Sequence, residues 1–371
     1  MSIPAAHLED WYRERYFTAK IDLGASGVQN YSFAELRRMT GLTPGVLDEL
    51  VLGDTHSLGG VELREAMAAR WAGGDPGRIM ATLGSTEALY LVQRALLEPG
   101  DEVIVPDPAY ASLDAIAEAS GCQVRRWRLR PEDGFAPDVD ELVRMIGPDT
   151  RMVVLNFPHN PTGVTITRDQ QLQVMNACEA VGAYLLWDGA FTELALDSRP
   201  LPDPAGEYPR AISTGTFSKA YGLPGLRVGW CVAAPEILDR CVRLRDYVTL
   251  FLSPLVELVA RYAAQHAPEF AAPRLEQAHR NRAVLREWLS AHEEHLAWTE
   301  PAGGVTLFPR MRTVADPTAF ADRLERERGV VVVPGHCFGH PAHLRLGFGM
   351  DPQDLAEGLD ALSDALTSDA R

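Results

Sequence analysis

Cysteine is sparse in this sequence and follows no pairing pattern. Its five thiols (Cys122, Cys178, Cys231, Cys241 and Cys337) form no CxxC pair and leave one over. That argues against a disulfide framework and fits a reducing cytosol. Long apolar runs are also missing, since none approaches the ~18 residues that would suggest a membrane span. The opening Met1-Ser2-Ile3-Pro4, running into Leu8-Glu9-Asp10-Trp11, has neither a basic n-region nor an apolar h-region, so no secretory leader is expected. Positive charge is in deficit. The formal net charge of −16 repels phosphate backbones, which makes nucleic acid an unexpected partner and favours a cationic small molecule. There is no internal repeat, low-complexity tract or flexible linker. What remains is a chain of 371 residues, 46% of them hydrophobic, enough for two lobes sharing a large core. The expectation is a soluble, cytoplasmic protein without a membrane or metal partner.

The middle of the chain alternates two kinds of segment. Short β-rich runs occur at Val103–Val105, Met152–Phe157, Tyr184–Trp187, Ala211–Phe217 and Val228–Ala233, with helical stretches at Ala111–Ser120 and Asp169–Val181 between the first four. Strands apolar on both faces, alternating with helices, predict a buried and mainly parallel sheet. Leu89, Val92 and Leu96 share one face of a predicted helix over Thr86–Leu97, which Pro99-Gly100 ends. Beyond about Leu250 the pattern turns to long amphipathic helices, such as Leu275–Ser290, and a short β-rich segment, Val330–Val333. The organisation expected is an N-terminal arm over 1–45 that joins a small C-terminal lobe over 251–371, with a large lobe over 46–250. The aromatics of Trp11–Phe17 in the arm are expected to need a partner surface, and a homodimer follows from that.

The segment richest in chemistry runs from Ser213 through Lys219 to Arg227 and Trp230. A lone lysine is normally a solvated surface group. Lys219 instead sits among small, hydroxyl and glycine residues just after a predicted strand, where burial would lower its pKa and favour a nucleophilic amine. Thr216, Ser218 and Arg227 could surround a phosphate, the arginine offering a two-pronged donor, although Gly-rich turns are often only structural. Three further segments have a functional and an ordinary reading. Asn156-Phe-Pro-His-Asn160-Pro-Thr-Gly163 places an amide after a strand, or is a tight loop with a capping asparagine. Tyr184-Leu-Leu-Trp-Asp188 ends a buried strand in a carboxylate, at the strand end where open α/β sheets bind ligands. Gly84-Ser85-Thr86 opens a helix whose free N–H groups could hold a phosphate, or Ser85 and Thr86 simply cap it.

Taken together these segments resemble the class I/II aminotransferase family, fold type I of the pyridoxal-phosphate (PLP) enzymes, in order and spacing over most of the chain. Leu58-Gly59-Gly60-Val61-Glu62-Leu63-Arg64, Pro106-Asp-Pro-Ala-Tyr110, Pro301-Ala-Gly-Gly304, Val333-Pro-Gly335 and Leu344-Arg345-Leu-Gly-Phe348 extend the likeness. The resemblance implies PLP as cofactor, with Lys219 holding it covalently and Asp188 pairing with its ring nitrogen. It implies that Asn160 donates to the ring oxygen, that Tyr110 stacks on the ring, and that Ser85, Thr86, Thr216, Ser218 and Arg227 hold the phosphate. Arg345 would clamp the substrate carboxylate, with Gly27 beside the substrate.

Two departures stand out. The family's tyrosine three residues after the aspartate is Phe191 here, and its phosphate-binding tyrosine five residues before Gly59 is Asp54. The spelling of Ser26-Gly27-Val28-Gln29-Asn30-Tyr31, Leu186-Trp-Asp-Gly-Ala-Phe-Thr192, Ser218–Cys231, Arg245-Asp-Tyr247 and Leu252–Glu257 narrows the resemblance to a cyclising branch of the family. What that branch implies is loss of water from a β-hydroxylated arginine and ring closure by its guanidine. A plain aminotransferase of basic amino acids is the alternative. Glu9, Asp10, Glu14 and Asp22 are candidate guanidinium partners, though exposed acids are usually just solvated. Lys219 or His159 would protonate the departing hydroxyl. The same fold fused to a DNA-binding domain would make a regulator, which the acidic charge and the early start of the fold argue against.

Overall fold

The computed structural model describes residues 3–369; Met1 and Ser2 of the expected arm, and Ala370 and Arg371 of the expected small lobe, lie outside the described residues. The alternating apolar runs assemble into a seven-stranded sheet. In chain order its strands are β1 (Ile79–Thr82), β2 (Glu102–Asp107), β3 (Gln123–Arg128), β4 (Thr150–Asn156), β5 (Tyr184–Asp188), β6 (Ala211–Thr216) and β7 (Gly229–Val232). Their order across the sheet is β1-β7-β6-β5-β4-β2-β3, and every pairing is parallel except the two made by β7.

Successive residues of a strand point to opposite faces, and here both faces are covered. Val153, Leu155, Leu185 and Trp187 join one core cluster, while Met152, Val154, Leu186 and Ile212 join the other. Leu89, Val92 and Leu96 of the helix Gly84–Leu96 pack into the second cluster; Val174, Met175 and Cys178 of the helix Arg168–Val181 pack into the first. This two-sided burial explains why the central strands read as continuous apolar runs.

Four local features differ from the sequence expectation. β3 did not read as a strand because it is a charged edge, whose Arg125 pairs with Glu102 and whose Arg126 pairs with Asp114 and Glu118. β1 also went unread. The helix expected at Leu275–Ser290 runs over Ala267–Ala291 and contains Pro273, a residue that interrupts any helix pattern sought in sequence. The expected strand Val330–Val333 is two short ones: Val330–Val331 pairs in parallel with Ile21–Asp22, and Val333–Pro334 pairs antiparallel with Leu344–Gly347.

The arm corrects a further expectation. Trp11 and Tyr12 are buried against their own chain, with Trp11 Nε1 donating to the Val332 carbonyl at 3.1 Å. Within Trp11–Phe17, Tyr16 and Phe17 stay outside, at 60% and 93% exposure. Among the described residues no helix is long and apolar enough to cross a membrane, and no cluster of His, Cys, Asp and Glu could hold a metal. All five cysteines are free thiols.

Candidate active site

β4, β5 and β6 run in parallel and end together, which brings Asn156, Asp188 and Thr216 to one edge of the sheet. A cavity of about 640 Å³ opens there between the strand ends, the arm and Arg345. Every residue assigned to cofactor or substrate from the sequence lines it: Gly27, Ser85, Thr86, Tyr110, Asn160, Asp188, Thr216, Ser218, Lys219, Arg227 and Arg345.

Asp188 is buried, and its Oδ1 accepts hydrogen bonds from the Thr214 hydroxyl and the Ala190 N–H, each at 3.2 Å. Burial pushes its pKa up to about 6, against the opposing pull of those bonds and of Lys219. A carboxylate held by neutral donors, in no ion pair among the described residues, is matched to a protonated ring nitrogen. Lys219 follows β6, and its Nζ donates to Ser26 Oγ at 2.9 Å and lies 5.9 Å from the centroid of the Phe191 ring. Burial, reinforced by the Arg345 guanidinium, lowers its pKa to about 8. Roughly a tenth of the amine is therefore neutral and nucleophilic at pH 7, far more than for an ordinary lysine.

The anion corner lies beside the first turn of the helix Gly84–Leu96, whose backbone N–H groups lack intrahelical acceptors. Thr216 Oγ1 and Ser218 Oγ are 2.9 Å apart, and Arg227 Nη1 donates to Ser218 Oγ at 3.2 Å. Arg227 adopts a left-handed φ of 51°, uncommon for a side-chain-bearing residue, and its guanidinium crosses Gly84 so closely that a Cβ there would lie 2.6 Å from Nη2. Hydroxyls, a guanidinium and helix N–H groups make a donor set suited to a phosphate.

Arg345 is fully buried, yet its hydrogen-bond partners are neutral: the Gly24 carbonyl, Asn160 Oδ1 and the Tyr12 hydroxyl, at 3.1, 3.1 and 3.4 Å. Such a cation is ready for an incoming carboxylate. By occupying Asn160 Oδ1, it also leaves the Asn160 amide NH2 as the donor into the cavity. Asn156 ties the two sides together, accepting from the Asn160 N–H at 3.0 Å and donating to the Asp188 carbonyl at 2.8 Å.

Some expectations need correction. His159 cannot protonate a departing hydroxyl: it is fully buried, its ring nitrogens meet Thr162 Oγ1 at 2.8 Å and the Pro108 carbonyl at 3.0 Å, and burial lowers its pKa to about 4. Of the four candidate guanidinium partners, Glu9 and Asp22 line the cavity. Asp10 pairs with Arg13 at 2.7 Å, and Glu14 is exposed beside Arg15. Asp54 is exposed and outside the cavity. Sequence reading passed over Ser26, Tyr12 and Thr214. Only Thr214 left a signal, since it lies two residues before Thr216 and so on the same strand face.

The family model for aminotransferase class I and II matches residues 52–362. The chain is 48% identical to capreomycidine synthase of Streptomyces vinaceus over 372 aligned residues, covering 100% of this chain and 96% of the relative. It is 32% identical to the arginine–pyruvate transaminase AruH of Pseudomonas aeruginosa, covering 85% and 84%. Among solved structures it resembles the PLP-dependent cyclase OrfR, crystallised in complex with Au, at 42% identity and a TM-score of 0.94, covering 99% of this chain and 98% of that one. Donor set, fold and relatives agree, and the chain belongs to the class I and II aminotransferase family as a PLP-dependent enzyme of fold type I.

Proposed function

We propose that this enzyme is a cyclase. It removes water from a β-hydroxylated L-arginine, 3-hydroxyarginine or 3,4-dihydroxyarginine, and adds a guanidine nitrogen to Cβ, giving capreomycidine or a hydroxycapreomycidine. The observation that carries this reading is likeness to capreomycidine synthase along the whole chain, at 48% identity, against 32% over 85% of the chain for the arginine transaminase. The biosynthetic setting it implies is that of peptide or streptothricin-type antibiotics.

In this reading Lys219 carries the cofactor. Asp188, Asn160 and Tyr110 hold its ring, while Ser85, Thr86, Thr216, Ser218 and Arg227 hold its phosphate. PLP supplies an electron sink for the negative charge that develops at Cα. Arg345 binds the substrate carboxylate and so presents the Cα–H bond to Lys219. Once the substrate's amine has taken its place, the freed Lys219 amine, with its pKa lowered to about 8, would take the Cα proton. The ammonium so formed is the acid within reach for the departing β-hydroxyl, now that His159 is excluded. The oxygen leaves as water, a guanidine nitrogen bonds to Cβ to close a six-membered ring as it gives up an N–H proton to the Lys219 amine, neutral again once the hydroxyl has left, and Lys219 returns a proton to Cα. The net change is loss of one water with every nitrogen retained.

The same reading makes the protein a cytoplasmic homodimer, with a cofactor lobe over 46–250 and a small lobe formed by 1–45 with 251–371. The pairing of Ile21–Asp22 with Val330–Val331 supports that second lobe.

A plain aminotransferase of a basic amino acid is the second reading, supported by the likeness to the arginine transaminase. Mass spectrometry after incubation with each hydroxyarginine separates the two. Loss of water with nitrogen retained, and no need for a keto-acid acceptor, is the expected result. A keto-acid product that requires pyruvate would overturn the cyclase reading.

A further inference from the structure

Glu9 stands in the first turn of the helix His7–Arg15 and lines the cavity, where its Oε1 accepts from the Tyr110 hydroxyl at 3.2 Å. Its helix neighbours place their charges elsewhere: Asp10 on Arg13, and Arg15 on Asp322 and Glu325. No Lys, Arg or His forms an ion pair with Glu9 among the described residues. Its charge nonetheless reaches the centre of the site. After burial and Arg345 it is the largest influence on Lys219, favouring the ammonium.

The other acids at the cavity are engaged or peripheral. Asp22 Oδ1 accepts from the Tyr12 hydroxyl at 3.2 Å and the Gly24 N–H at 3.0 Å, and burial raises its pKa against the pull of the Arg345 guanidinium, the cation it faces. Asp351 accepts from Gln29 Nε2 at 3.1 Å and from the Gln353 N–H at 2.9 Å, where it caps the last helix. Asp354, exposed as Glu9 is, stands on the first turn of that helix and, among the described residues, makes no hydrogen bond to a residue expected to meet the cofactor.

The cavity therefore has a guanidinium, Arg345, that no carboxylate hydrogen-bonds among the described residues, and a carboxylate, Glu9, in no ion pair among them, the latter joined to the tyrosine expected to stack on the cofactor. An arginine-type amino acid has the complementary pair of charges, an α-carboxylate and a side-chain cation. We propose that Glu9 is the specificity-determining residue for the side chain, binding the guanidinium of an arginine-type substrate while Arg345 holds its carboxylate. This rests on the reading of the enzyme as arginine-directed, and it holds for cyclase and transaminase alike. The Tyr110 hydroxyl engages one carboxylate oxygen, and no hydrogen bond among the described residues takes the other. A guanidinium can use its fixed fork of N–H donors on that carboxylate. A guanidinium with a pKa above ~12 stays charged at neutral pH, so Glu9 acts by orienting it and not as a strong base.

The test is a titration of the holoenzyme, followed by the change in cofactor absorbance. One ligand is L-arginine, which has the charge but no β-hydroxyl to lose; the other is L-citrulline, its neutral isostere. Wild type is expected to prefer arginine. Glu9→Gln should weaken arginine by roughly 10- to 100-fold, the range for a hydrogen bond to a charged group, and leave citrulline within about twofold. Glu9→Asp should recover part of the arginine affinity. Equal weakening of both ligands, no weakening of either, or no arginine preference in wild type would overturn the assignment. A keto-acid product from hydroxyarginine alongside arginine-selective loss sinks the cyclase reading and keeps Glu9. Cyclised product from wild type and Glu9→Gln at the same KM keeps the cyclase and sinks Glu9.

Discussion

Phe191 shows how one missing oxygen sets an electronic property. Its ring faces Lys219 from 5.9 Å, at the position where the family resemblance implies a tyrosine hydroxyl for the cofactor's ring oxygen. Asn160, its amide turned by Arg345, is then the side-chain donor left for that oxygen. With less stabilisation of the ring anion, the lysine–cofactor linkage should stay protonated to higher pH. Phe191→Tyr should lower the pKa of that linkage. A bond to a charged acceptor is worth about 1.5–3 kcal/mol and a pKa unit about 1.4 kcal/mol, so the shift should be on the order of one to two units. A spectrophotometric pH titration of the two proteins reads it directly, and an unchanged or raised value would mean that the position does not serve the ring oxygen. Phe191 was legible in sequence because it sits a fixed distance from Asp188. Ser26 and Tyr12 were not, since a serine or tyrosine in an arm carries no sign of what it will touch 193 or 333 residues away.

At the scale of elements, the site depends on how closely the strand ends approach the helix Gly84–Leu96. Gly229, first residue of β7, has no room for a side chain. A Cβ there would meet the Ser85 nitrogen at 2.5 Å and the Gly215 carbonyl oxygen at 2.6 Å, both backbone atoms that cannot rotate away. Gly229→Ala should therefore push the helix start off the strand. The cost should be roughly 1–3 kcal/mol of stability, typical of overpacking, together with weaker cofactor retention. Thermal unfolding of the cofactor-free protein and cofactor loss on dialysis measure the two effects; an unchanged midpoint with full retention would show that the strand end yields freely. The long, buried elements were legible from period and punctuation, as with the helix at Arg168–Val181, which ends at Gly182 in the left-handed conformation. β3 was not, because an edge strand buries little and its charges follow neighbouring acids across the surface and not any strand period.

At the scale of the whole molecule, the exposed apolar surface bears on assembly. Val51, Leu52, Tyr247 and Val248 are 81%, 76%, 91% and 53% exposed. Their segments are tied together by Ser57 Oγ with Asp246 at 3.2 Å and Thr55 Oγ1 with the Leu252 carbonyl at 3.2 Å. Exposed apolar side chains on two segments linked in this way suit a second copy of the chain, and Tyr16 and Phe17 add to what is left uncovered. Sedimentation at micromolar concentration should give a dimer; a fully active monomer would rule it out. By itself the sequence determined the family, the parallel sheet and the choice of the lysine and aspartate that the fold brings to the cavity, because each is written in local order, spacing and hydrophobic period. Tertiary structure alone decided which acids reach the cavity, that His159 is locked in the core, and that, among the described residues, Arg345 has no carboxylate as a hydrogen-bond partner. Those outcomes depend on burial and on contacts between residues far apart in the chain, which no local pattern encodes.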